Sequence, residues 1–320
     1  RPPHPRDRVA KKVPLSKALL DGLADGSPLS ALCRNFCTCG GGPACPHEQR
    51  RGGSGRRSGP GPKPLKGPAT PSPEYLRRVA VPSRPEASDH PLLVLSLDGV
   101  VDARLPYHLS GGYTDILARP YLEPFLAYLL SPHSPWSLAF YTSLPRKQAL
   151  ETLKALNMPT GGPEKDERDG VVGLFARDDM RAGWSGSQIE LKDLEVIWSE
   201  LYEEEGVQWG VENTIVLTND PSEMKKQPFS YVLAPELTYK STTRPREDQF
   251  LLLMIAVLKD LETETNFAYH IKDMEWNALK IWTGMDEHSV NERNSYLLIA
   301  VRICADYRIP IKAFTGNEHA

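Results

Sequence analysis

The sequence predicts an α/β protein of three layers, with a mainly parallel sheet preceded by a basic tail. Three observations carry that prediction. Short continuous apolar runs of strand length recur along the chain, which is how strands buried on both faces read. Stretches of helical spacing lie between them, so strand and helix alternate. The composition also breaks near residue 90. Residues 1–90 hold 16 Lys/Arg against 7 Asp/Glu, 15 of the 29 prolines, and only two aromatics, Phe36 and Tyr75. Such a stretch buries too little apolar surface to offset its ordering entropy, so a disordered tail is expected over 1–90. The remaining residues carry 22 Lys/Arg against 34 Asp/Glu and are enough for a sizeable core. A domain is expected over 91–240, with a helical extension over 241–320 packed on it.

The elements follow in order. Leu15 to Leu32 has a short helical pattern, interrupted by Gly26 and Pro28, and residues 48–72 read as a Gly/Pro/Arg/Ser linker. Globular patterning starts at Pro91. Leu92 to Leu97 is the first buried strand, and Pro120 opens a helix through Leu130, proline being at home in a first turn. Trp136 to Tyr141 is a strand, Arg146 to Leu156 an amphipathic helix, and Val171 to Ala176 a third strand. Leu191 to Glu204 is periodic, with Leu194, Ile197, Trp198 and Leu201 on one face. Thr214 to Leu217 and Tyr231 to Ala234 are strands, and Arg246 to Glu262 and Asn294 to Tyr307 are helices. A sheet of this kind puts its site at the carboxyl ends of the strands.

Composition excludes several classes. The net charge of −3 argues against nucleic-acid binding by bulk charge. The basic tail lacks the aromatics that base stacking needs, so a solvated linker is favoured there over a nucleic-acid arm. No apolar run approaches the roughly 18 residues of a membrane span. The chain opens at Arg1 rather than Met. Its start is basic and acid-poor like a mitochondrial presequence, but Pro2, Pro3, Pro5 and Pro14 break any long helix. The compartment stays open, nuclear or mitochondrial sites included. Cys33, Cys37, Cys39 and Cys45, with His47, offer soft ligands to zinc. Their spacing matches no paired C-x2-C arrangement, so a reduced patch is the plainer reading. Cys304 sits alone in an apolar helical pattern and reads as core.

Four segments stand at the strand ends: Ser96-Leu97-Asp98-Gly99-Val100-Val101, Tyr141-Thr142-Ser143, Lys192-Asp193-Leu194 and Leu217-Thr218-Asn219-Asp220-Pro221. Singly each is a cap or a turn. As an ordered set, with Arg119-Pro120, Arg146-Lys147, Gln227-Pro228 and Pro235-Glu236, they resemble the haloacid-dehalogenase-like superfamily. The likeness is to the homology domain of the RNA polymerase II C-terminal-domain phosphatases and NLI-interacting-factor-like proteins, which also occurs in the mitochondrial presequence-translocase receptor. It spans about Leu92 to Leu237, and a weaker likeness to fungal members runs on through Glu247-Asp248. The resemblance implies a Rossmann-like fold. It also implies an aspartate nucleophile, a second Asp as general acid and base, a phosphate-binding hydroxyl, a neutralising lysine, and magnesium on hard oxygen ligands.

Carried over, Ser96 stands at the nucleophile position, Asp98 at the acid/base position, Thr142 and Ser143 at the phosphate-binding position, and Lys192 at the lysine. The metal positions would be the Asp98 backbone carbonyl, Thr218 and Asn219, with Asp220 as a substitute ligand through a register shift. Two departures matter. Ser96 and Thr218 replace the two carboxylates that would hold magnesium, and a serine hydroxyl needs an adjacent base to attack. The expectation is a catalytically inactive pseudophosphatase that needs no cofactor and binds a protein or phosphopeptide partner. The loss of both carboxylates leaves Lys192 short of negative charge, so an anion is expected to bind there without metal. The alternative is a weak magnesium-dependent phosphoserine or phosphothreonine phosphatase. Oligomeric state is not legible.

Overall fold

The structure, a computed structural model, describes residues 63–64, 70–88, 90–104, 116–160, 170–182, 190–237, 248–273 and 287–311. The helical pattern at Leu15–Leu32 and the Cys33–His47 cluster lie outside these residues, as does the linker over 48–72 apart from 63–64 and 70–72.

The strands are β1 (Lys63–Pro64), β2 (Leu92–Leu95), β3 (Asp102–Arg104), β4 (Ile116–Ala118), β5 (Ser137–Tyr141), β6 (Val171–Phe175), β7 (Arg181–Ala182), β8 (Glu190–Leu191), β9 (Thr214–Thr218) and β10 (Tyr231–Leu233). The helices are α1 (Pro73–Val79), α2 (Leu122–Leu129), α3 (Arg146–Ala155), α4 (Leu194–Glu205), α5 (Phe250–Leu261), α6 (Phe267–Asp273) and α7 (Glu287–Asp306). Five strands form the central sheet in the order β10-β9-β2-β5-β6, and every pairing in it is parallel. The α/β class expected from the apolar runs is the one observed.

Alternation along each strand divides the core into two. Leu93, Leu95, Leu138, Phe140, Ile215 and Leu217 face a cluster built with α2, α3, α5 and α7. Leu92, Val94, Ala139, Tyr141 and Val216 face Leu194, Ile197 and Leu201 of α4 on the other side. Helices therefore cover both faces, giving three layers. Helix α5 is buried nearly all round, since Phe250 to Leu258 are without exception inside. Leu297, Ala300, Ile303 and Cys304 of α7 share its cluster. These helices share one core cluster with the sheet.

Several boundaries differ from the sequence reading, each for a local reason. The folded part begins before Pro91. Ser72 accepts the Tyr75 amide at 3.0 Å and caps α1, with Pro73 in the first turn. Tyr75 and Val79 are buried with Val211 and Ala268. The Tyr75 hydroxyl accepts the Phe229 amide at 2.9 Å and lies 3.1 Å from Ser230 Oγ. Helix α1, before residue 90, is thus packed into the fold. Helix α2 starts at Leu122, because Tyr121 takes the left-handed conformation (φ 64°) at its cap. Helix α4 starts at Leu194, since Glu190–Leu191 is a strand and Asp193 caps the helix through the Glu195 amide. Helix α5 starts at Phe250, whose amide Asp248 Oδ1 accepts at 3.2 Å. Helix α7 begins at Glu287, earlier than Asn294.

Candidate functional site

The strand order fixes where a site can form. From β2 the chain proceeds outward through β5 and β6, then returns to add β9 and β10 on the other side. The carboxyl end of β2 is therefore a topological switch point, where neighbouring loops diverge and leave a crevice. Ser96 and Asp98 follow β2, Thr142 follows β5, and Thr218 ends β9.

Two hydrogen-bonded groups occupy this end. In the first, Asp98 Oδ2 accepts the Thr142 hydroxyl at 2.8 Å and the Ser143 hydroxyl at 3.1 Å. Thr142 is fully buried and its Oγ1 accepts the Leu144 amide, so the loop after β5 is fixed from both sides. Asp98 is half-buried and lies in a tight turn. Gly99 there has φ +69°, and a Cβ on it would overlap Asn219 Nδ2. This is where Asn219 sits: against the Gly99 backbone.

The second group is centred on Lys192, whose side chain is 3% exposed. Its Nζ donates to Ser96 Oγ at 2.7 Å and lies 2.6 Å from Glu223 Oε2 and 3.4 Å from Thr218 Oγ1. Thr218 Oγ1 in turn donates to Glu223 Oε2 at 3.3 Å and accepts the Asp220 amide. An ammonium has three donors, and three acceptors of this chain face it. Burial pushes the Glu223 carboxyl above the usual carboxylate range. The Lys192 ammonium opposes that shift, while Asp220 and Asp98 add to it.

Next to Lys192 the charges run the other way. Asp193 Oδ2 accepts Lys226 Nζ at 2.7 Å, and Asp193 Oδ1 accepts Gln227 Nε2 at 3.3 Å. The dipeptide Lys192-Asp193 is thus joined to Glu223 and Lys226 by two ion pairs of opposite sense.

One expectation is corrected here. Lys192 is not short of negative charge, because Glu223 supplies a carboxylate that the motif reading did not contain. Among the described residues, the Asp220 carboxylate hydrogen-bonds to no site side chain. It is exposed, and its Oδ1 accepts the Ser222 amide at 2.8 Å, capping the single turn Pro221–Met224. Ser96, Thr218 and Lys192 are brought together, and Asp98, Thr142 and Ser143 form the neighbouring group.

The donor set does not suit magnesium. A small divalent ion wants carboxylate oxygen here, but Ser96 and Thr218 offer neutral hydroxyls. Ser96 Oγ already accepts an ammonium. The one inserted carboxylate, Glu223, is committed to Lys192. Among the described residues no group of three or more His, Cys, Asp or Glu is arranged to hold a metal ion. Ser96 is poorly placed for attack, since the group that meets its oxygen is a cation and not a base.

A cleft of about 380 Å³ lies elsewhere, at the amino ends of the strands, lined among others by Arg78, Trp209, Glu212 and Asn213. Three of its lining residues are engaged: Arg78 pairs with Glu212, and Trp209 Nε1 donates to the His90 carbonyl. Among the described residues no helix is long and apolar enough to cross a membrane.

No protein-family model matches the chain, and no curated protein does. Among solved structures it is similar to a Vibrio cholerae protein described as a candidate 3-deoxy-D-manno-octulosonate 8-phosphate phosphatase. The identity is 13% and the TM-score 0.29, over 58% of this chain and 90% of that one.

Proposed function

We propose that this chain is a catalytically silent member of the haloacid-dehalogenase-like superfamily, of the C-terminal-domain phosphatase type, that serves as a protein-binding module. The domain would span the core from α1 through α7. The ordered motifs at Ser96–Asp98, Thr142-Ser143, Lys192 and Thr218-Asn219 support the family. One observation carries the loss of catalysis: Lys192 spends its donors on Ser96, Glu223 and Thr218, all from this chain. A phosphoryl group would find no free ammonium donor and no metal-binding carboxylate pair. Phosphoryl transfer depends on both charge neutralisation and positioning. The partner is then a protein segment recognised without a phosphate in this pocket, and the module works without magnesium.

The test is turnover by the purified full chain with a phosphoserine peptide and magnesium. Phosphate release should not exceed that of the same chain carrying Asp98→Asn. Magnesium-dependent release that Asp98→Asn abolishes would establish the weak phosphatase instead.

A further inference from the structure

We infer that Lys192, Ser96 and Thr218 form an oxyanion site whose resident occupant is the Glu223 side chain of the same chain. The inference deepens the reading above, in that Glu223 is what closes the pocket. Its geometry nevertheless stands on the Lys192 cluster alone.

Three features support it. A buried ammonium requires an anion beside it, because an unpaired charge in a low-dielectric interior is costly. Lys192 is 3% exposed, and Glu223 Oε2 is the carboxylate oxygen that meets it. Secondly, the donors converge. Lys192 Nζ and the Thr218 hydroxyl both point at Glu223 Oε2, and Ser96 Oγ joins them through the same ammonium. Charge-assisted donors gathered on one oxygen are what a carboxylate or phosphate oxygen seeks. Thirdly, Glu223 lies on the solvent side of the cluster. Its side chain is 15% exposed, whereas Ser96 and Thr218 are sealed beneath it. Withdrawing it opens a path to the ammonium rather than a closed void.

The segment that carries Glu223 does not depend on this pair for its place. Lys226 and Gln227 hold it to Asp193. Asp98 and Asp220 lie within electrostatic reach of Glu223. With Lys192 as the one ammonium among the described residues that pairs with Glu223, the site suits small monoanions, such as acetate or singly charged phosphate, better than dianions.

The full chain with Glu223→Ala is therefore expected to gain an anion dependence that the wild type lacks. Sodium acetate or phosphate at tens of millimolar, against sodium chloride at equal ionic strength, should raise its melting temperature saturably by about 2–5 °C. The wild type should show no rise beyond chloride, and adding Lys192→Met to Glu223→Ala should abolish the response. If Glu223→Ala does not fold in chloride, refolding in acetate should recover it. An equal response in wild type and variant would overturn the inference, as would a response that survives Lys192→Met. So would a variant, folded or unfolded, that neither anion affects. Turnover by the wild type would refute the silent reading while leaving this anion dependence intact.

Discussion

Replacing Arg119 by methionine tests whether one buried cation joins the candidate site to the C-terminal helices. The Arg119 side chain is 1% exposed and faces a carboxylate, Asp248, that is 6% exposed. Nε lies 3.0 and 3.2 Å from the two Asp248 oxygens, and Nη1 and Nη2 donate to the Val100 and Pro235 carbonyls at 2.9 and 2.8 Å. The guanidinium also stands 4.7 Å over the Phe250 ring. Burial pulls its pKa down, and Asp248 works against that. Methionine fills similar volume and removes the charge. It strands a buried carboxylate, for which the usual cost is about 3–5 kcal/mol. There is a ceiling, because the carboxylate can escape by taking a proton. At pH 7 that costs an ordinary aspartate about 4 kcal/mol, and at pH 5 only about 1.5 kcal/mol. The two orphaned carbonyls add about 1 kcal/mol each at either pH. We therefore expect Arg119→Met to lose about 5–6 kcal/mol at pH 7 and about 2 kcal/mol less at pH 5. Adding Asp248→Asn should restore part of the pH 7 loss. Urea unfolding at both pH values measures all three quantities. A single-variant loss under about 1 kcal/mol, or losses that simply add in the double variant, would refute the argument.

Gly99→Ala should cost at least the 1–2 kcal/mol of a left-handed alanine, and more because its Cβ meets Asn219 Nδ2. Asn219→Ala in the same chain should recover the excess in denaturant titration. Tyr75→Phe removes the acceptor of the half-buried Phe229 amide and should cost about 1–2 kcal/mol. No loss would mean that α1 is not part of the fold. Glu223, whose pKa burial raises, binds a proton more readily folded than unfolded. Its stabilising contribution is then full below the ordinary glutamate value and fades as pH rises through the raised one. The unfolding free energy of wild type minus that of Glu223→Gln should accordingly fall with rising pH. The opposite slope would mean that Lys192 outweighs burial.

The central strands were legible because a parallel strand buried on both faces is mostly apolar, and Leu92–Leu97 and Thr214–Leu217 read as such runs. The strand-end residues were legible through their order along the chain. Helix α1 was missed for a different reason. Its signal is local, a Ser72 cap and Pro73 in the first turn, and the proline-rich average of residues 1–90 drowned it. Glu223 was not legible at all from periodicity. It sits in a single 3₁₀ turn five residues beyond Thr218, and its partner is 31 positions earlier in the chain. The trace it left is a charge order, Lys-Asp at 192–193 against Glu-x-x-Lys at 223–226, which means nothing until the two segments are known to touch. The C-terminal helices carry a signal of another kind. A helix as uniformly apolar as α5 needs neighbours on every side, and those are the sheet and α7.

That charge order makes the contact a keyed fitting. Reversed, the Glu223–Lys226 segment would set Lys226 against Lys192 and Glu223 against Asp193, turning two attractions into two repulsions. The direction of travel is thereby fixed, and a one-residue shift that sets Met224 against Lys192 and Gln227 against Asp193 would leave both charged ends facing neutral groups. The segment leads within a few residues into β10, the edge strand that pairs in parallel with β9 from Tyr231 opposite Val216. An edge strand with a neighbour on one side is prone to slip. Here two side-chain pairs of opposite polarity lie just upstream and favour the observed register.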